Sequence, residues 1–162
     1  MERRFFAVLD KKALFTFIKQ IVEKSKELKD KYTDETDAKV NYACIFSQSD
    51  SEYEQLCGLM SELGKVVEDH GSGPLFHIPA IKTVAGDLEL VRIRKPDDQH
   101  KDWGDADFTV KNYDSFKEKF LDKAGFSLIE RKDFEMIELM ENEFPVRAYF
   151  SNPPIGEVLG VI

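Results

Sequence analysis

Between residues 40 and 150 the chain passes through one order of elements twice. The first pass opens on Val40–Ser47, where Tyr42, Cys44 and Phe46 alternate with Asn41, Ala43 and Ile45, the pattern of a strand buried on both faces. Ser49 or Asp50 then opens a helix in which Tyr53, Leu56, Met60 and Leu63 share a stripe, and Gly64 ends it. Strand-like stretches follow at Lys65–Glu68, Leu75–Ala80 and Leu88–Arg94, punctuated by Gly71, Gly73, Pro74 and Gly86 and stopped by Pro96. After the polar loop Lys95–Gly104 the order returns: a strand at Ala106–Val110, a helix at Tyr113–Ala124 closed by Gly125, then strands at Phe126–Arg131, Phe134–Met140 and Val146–Phe150. Overlaying the two helices sets Tyr53 on Tyr113, Leu56 on Phe116, Met60 on Phe120 and Gly64 on Gly125, a period of roughly sixty residues. The expectation is an α+β domain made of two tandem βαβββ modules.

What flanks the repeat is of a different kind. From Lys11 to Leu28 the residues Leu14, Phe17, Ile18, Ile21 and Leu28 recur at helical spacing behind Asp10 as N-cap, which predicts an amphipathic helix docked on the body. Lys29–Lys39 carries almost nothing apolar and reads as a connection, so residues 1–39 form an N-terminal extension and residues 40–162 the main domain. A short last helix is expected from Pro153 to Leu159, with Asn152 capping it.

Length and charge narrow the function. A chain of 162 residues with 42% apolar side chains fills one core. With 23 basic against 31 acidic residues its net charge is −8, which repels phosphate backbones and argues against a nucleic-acid partner. No apolar run is long enough to span a membrane, and the run Phe5–Leu9 is too short for a secretion signal, so a soluble, cytoplasmic protein is expected, with a homodimer left open. Two cysteines, Cys44 and Cys57, support neither a disulfide framework nor a thiolate zinc site.

The segments NYACIFSQSDSEYEQLCGLMSELG and GDADFTVKNYDSFKEKFLDKAGF, each a strand running into an amphipathic helix, give residues 40–150 an element order that resembles the vicinal oxygen chelate superfamily of glyoxalases, bleomycin-resistance proteins and extradiol dioxygenases. That resemblance implies a cupped mixed sheet, preceded here by an extra helix. It also implies a divalent metal held on His, Gln or Glu side chains of the first and last strands, acting as a Lewis acid on two adjacent substrate oxygens. This sequence departs from the pattern. The pocket-facing positions of the first strands fall on Cys44 and Asp107, those of the last strands on Glu89 or Arg92 and on Arg147 or Tyr149, and no His, His, Glu set is visible.

Individual residues divide between chemistry and structure. His77, alone in an apolar strand, either binds a metal or carries a proton, or is a hydrogen-bonded core or rim histidine; His70 and His100 lie in loops and read as solvated. Asp107, a carboxylate on an apolar strand, must be paired, metal-bound or shifted in pKa, and Arg92 or Arg147 is its nearest candidate partner. Arg92 and Arg94, two apart, leave one face together and suit an anion, or else offset an acidic surface. Of Glu135 and Glu138 at most one can enter the pocket. Two functions follow. One is a small-molecule-binding protein without an intact metal triad, its ligand held by Arg92, Asp107, Arg147 and Tyr149. The other is a metal-dependent lyase, isomerase or dioxygenase for an oxygen-rich anion, with the metal on His77, Asp107 and Glu138, and Glu89 as a further ligand candidate.

Overall fold

A computed structural model describes residues 9–161; the reading of the extreme N-terminus lies outside the described residues. Helix α1 spans Lys11–Tyr32 and is followed by β1 at Lys39–Phe46, α2 at Asp50–Leu63, and β2, β3 and β4 at Lys65–Glu68, Leu75–Thr83 and Gly86–Arg94. Then come β5 at Gly104–Thr109, α3 at Tyr113–Phe120, β6, β7 and β8 at Phe126–Glu130, Glu135–Leu139 and Val146–Asn152, and α4 at Ile155–Val158. No described helix is long and apolar enough to cross a membrane.

The strands form one eight-stranded sheet in the order β2-β3-β4-β1-β5-β8-β7-β6. β1 pairs parallel with β4, and β5 parallel with β8. The other pairs are antiparallel, including the central seam of β1 on β5, where Ala43 stands opposite Ala106. Helices α1, α2 and α3 cover one face, and their Leu14, Phe17, Ile18, Ile21, Leu56, Met60, Phe116 and Phe120 pack with Ala43, Ile45, Val91, Ala106 and Phe108 of the strands. The alternate positions Tyr42, Cys44 and Phe46 of β1 turn to the opposite face, where they cluster with Leu75, Leu90 and Ile155. The strand that sequence alternation marks as buried on both faces is thus the middle of the sheet.

The two sheet helices start alike and pack differently. Ser49 caps α2 by accepting from the Glu52 amide, and Asn112 caps α3 by accepting from the Ser115 amide. Leu56, however, lies seven residues beyond its cap and Phe116 four beyond its own, so α2 has an extra turn before its buried pair.

Three helices are bounded differently from the sequence reading, and strand ends shift by up to three residues. α1 runs on to Tyr32 because Lys29 is buried there: its ammonium donates to the Glu35 carbonyl at 2.5 Å and lies 5.2 Å from the Phe108 ring centre. α3 stops at Phe120 rather than Ala124, since the Lys123 amide already turns back to the Phe120 carbonyl at 2.9 Å. α4 is capped by Pro154 without a side-chain bond, while Asn152 is the last residue of β8. β3 tolerates Pro79 because the register with β4 shifts between His77 and Ile81.

Candidate ligand-binding site

On the face away from the three long helices, the register of the four central strands sets Arg92, Cys44, Asp105 and Arg147 side by side in one row. A cavity of about 410 Å³ opens above this row. Its lining includes Tyr42, Arg92, Arg94, His100, Asp105, Glu138, Arg147 and Tyr149, together with apolar side chains of the β6–β7 hairpin and of the C-terminal segment.

Each end of the row is a fixed guanidinium. Arg92 donates to both Glu68 carboxylate oxygens at 2.9 Å, to the Tyr42 hydroxyl at 3.0 Å and to the Gly73 carbonyl at 2.6 Å. Gly73 is needed for that carbonyl to be presented: its φ is +134°, and a Cβ there would lie 2.0 Å from the Ile93 carbonyl oxygen. Arg147 donates to Asp102 at 2.8 and 3.1 Å and to Glu138 at 3.3 Å, and lies 5.2 Å from the centre of the Phe46 ring. Glu138 also accepts from the Tyr149 hydroxyl at 2.5 Å. Burial works against both guanidinium charges, but Tyr42 and Glu68 around Arg92, and Asp102 and Tyr149 around Arg147, outweigh it and keep both protonated.

Between the arginines sit two carboxyls on one face of β5. Asp105 is 4% exposed, and its Oδ1 is buried without a hydrogen-bond partner. Burial, then the charge of Asp107, pushes its pKa well above the carboxylate range, against the pull of Arg147 and Arg94. Asp107 is fully buried, and its Oδ1 accepts from the Ser151 amide at 3.1 Å, the Ser151 hydroxyl at 2.9 Å and the Asn41 side chain at 3.1 Å. Burial raises Asp107 to about 6, with those three bonds holding it down from higher. The Cys44 thiol is pushed up by burial and by Asp105, against the pull of Arg92 and Arg94, which makes it a poor nucleophile.

Arginine usage concentrates the positive charge. The chain holds six arginines, and Arg3 and Arg4 lie outside the described residues. The remaining four, Arg92, Arg94, Arg131 and Arg147, all line this cavity, and none of the seventeen lysines does. Arg94 is paired with Asp97 at 3.1 Å. Arg131, at the exposed rim, bonds the Glu130 carbonyl and has no carboxylate partner among the described residues.

Of the residues singled out by sequence, Arg92, Arg147, Tyr149 and Glu138 come together on the lining, while Asp107 lies on the same face outside it. The expected pairing of Asp107 with an arginine gives way to Ser151 and Asn41, because β8 brings the Ser151 amide and hydroxyl to the same oxygen. His77 is elsewhere: 39% exposed, it faces Glu89 at 3.5 Å in a surface depression with Gly64, Lys65 and Pro79. His77, Asp107 and Glu138 are therefore not assembled. Among the described residues no group of three or more His, Cys, Asp or Glu side chains is placed to hold a metal ion. The donor set does not fit a chelated metal: Glu138 is engaged by Arg147 and Tyr149, His77 lies in a separate surface depression, and Asp107, whose Oδ2 is buried without a hydrogen-bond partner, is left with no second ligand beside it.

Several lining residues lie outside the sequence reading of the site, Arg131 and Glu68 among them, and two polar ones carry traces in the sequence. Asp105 shares its face with Asp107 by simple alternation, a signal present in GDADF. His100, read as solvated, packs edge-on against Phe46 at 4.8 Å with Nδ1 2.7 Å from Asp97. Burial, with Arg94 and Arg147 nearby, lowers its pKa despite Asp97. The Asp97–His100 spacing of one turn was its only trace in the sequence.

Comparison with family models yields no match, and comparison with curated proteins finds no relative. A solved structure described as "Structural Genomics, Protein EC4020" superposes with a TM-score of 0.70 over 96% of this chain and 98% of its own, at 9% sequence identity. At that identity the likeness is one of fold alone.

Proposed function

We propose that the chain is a small-molecule-binding protein of vicinal-oxygen-chelate type, built of two βαβββ modules that meet at the β1–β5 seam, in which an arginine-lined cup replaces the metal triad and captures a small anion. The module reading is supported by the pairing pattern, since the first strand of each half lies parallel beside the last strand of that half. The observation that carries the function is the segregation of the four described arginines into one cavity of a chain whose net charge is −8. Guanidinium forks suit planar oxyanions, and they hold their charge under burial where an ammonium would lose it. Arg92 and Arg147 are braced by carboxylates, so the anion meets a preset frame, and Arg131 is the cavity arginine without a carboxylate partner among the described residues.

The test is calorimetric titration with acetate, oxalate and inorganic phosphate, on the wild type and on Arg94→Ala and Arg131→Ala. Saturable binding by wild type, weakened about tenfold or more by either substitution at unchanged melting temperature, is expected. No binding of any of the three anions to the wild type would refute the proposal.

A further inference from the structure

We infer that the ligand of this cup is amphiphilic: a small organic acid whose carboxylate is met by the arginines and whose hydrocarbon part lies against a separate apolar wall. The inference rests on the anion reading above and goes further by assigning the rest of the molecule. The central-strand arginines and the apolar side chains come from different elements, with Arg131 at the exposed rim of the β6–β7 hairpin and Glu138 turned to Arg147. The guanidiniums of Arg92, Arg94 and Arg147 come from β4 and β8 in the middle of the sheet. Ile129, Phe134 and Met136 come from the β6–β7 hairpin, and Ile155, Val158 and Leu159 from the C-terminal segment. All of these but Ile155 are only half-buried, so each has apolar surface left to cover.

A hydrated inorganic anion would leave that surface wet, whereas an acid with a short chain or ring removes it from water while its head stays on the guanidiniums. Asp105 marks the join. It lines the cavity in the row between Cys44 and Arg147, and the proton that burial keeps on its carboxyl supplies a donor to the ligand's carboxylate. The volume of about 410 Å³ is enough for a molecule of this size and too small for a folded partner or a long polymer segment.

The experiment compares acetate, butyrate and hexanoate with the neutral hexanamide on the full chain. Each added methylene that enters the cavity is expected to raise affinity about fourfold, and hexanamide should bind at least tenfold more weakly than hexanoate. Met136→Ser should flatten the rise with chain length; should it fold poorly, Ile129→Ser on the neighbouring strand reads the same wall. Equal affinities for acetate and hexanoate would overturn the inference and leave the anion reading standing. Hexanamide binding as tightly as hexanoate would show a merely apolar cavity and overturn it too. If none of the three carboxylates binds, the inference falls, and the anion reading falls with it only when oxalate and inorganic phosphate fail to bind as well.

Discussion

Arg92 and Glu68 meet fork to fork, Nη1 on Oε1 and Nη2 on Oε2, each at 2.9 Å, with both side chains nearly out of water. Removing only the carboxylate strands a buried guanidinium that retains just Tyr42 and Gly73. Glu68→Ala should therefore lower unfolding free energy by about 3–5 kcal/mol in urea titrations. Adding Arg92→Met should restore part of that loss, because the lone charge goes with it. A Glu68→Ala protein as stable as the wild type would show that the pair is not braced in solution.

Asp107 makes a pH prediction with a definite sign. Its folded pKa, about 6, lies above the ordinary 3.8, so the native state holds this proton more tightly than the unfolded chain does. The group's contribution is fully present below about pH 4 and is lost as pH rises through about 6. Asp107→Asn does not titrate and can still accept from Ser151. It should gain on the wild type across that window, by roughly 3 kcal/mol above it. Unfolding free energies of the two proteins measured from pH 4 to about pH 8 should diverge and then run parallel; a constant difference would contradict the assignment.

Gly104 faces the Cys44 backbone across the central seam, where an added Cβ would lie 2.1 Å from the Cys44 carbonyl oxygen and 3.1 Å from the Ile21 side chain. Gly104→Ala must push β1 from β5, and it also crowds α1 at Ile21. A loss of about 3 kcal/mol or more is expected, with faster amide exchange along both strands.

Lys29 separates stem from charge. Its fully buried chain lies near Phe108 while its ammonium bonds Asp30 and the Glu35 carbonyl. Lys29→Met preserves volume and should stay within about 1.5 kcal/mol of wild type by denaturant melts. Lys29→Ala opens a hole and should lose about 2–3 kcal/mol.

Those sites also mark what was legible in the sequence. Alternation along β1, β4 and β5 is local, so the shared facing of Tyr42 with Cys44, and of Arg92 with Arg94, could be read directly. The end of α1 could not, because what buries Lys29 includes Phe108, far along the chain. Nor could alternation rank Asp107 against Asp105, which share a face; only the arrival of Ser151 on the neighbouring strand gives one its bonds and leaves the other's Oδ1 unpartnered. Residue type alone groups His77 with Glu138, and the fold sends one to a surface depression and the other to Arg147. Residue type names candidates for a site, but strand order decides which of them meet.

The confinement of the described arginines to the cavity, with every lysine outside its lining, makes inside and outside chemically distinguishable. An amine-acylating reagent decorates the exterior and spares the lining. A dicarbonyl reagent selective for guanidinium reports on the interior, with Arg3 and Arg4 as background. A ligand that shields Arg94 and Arg131 from the second reagent while leaving the first indifferent would betray itself in a mass spectrum before anything about its identity were known.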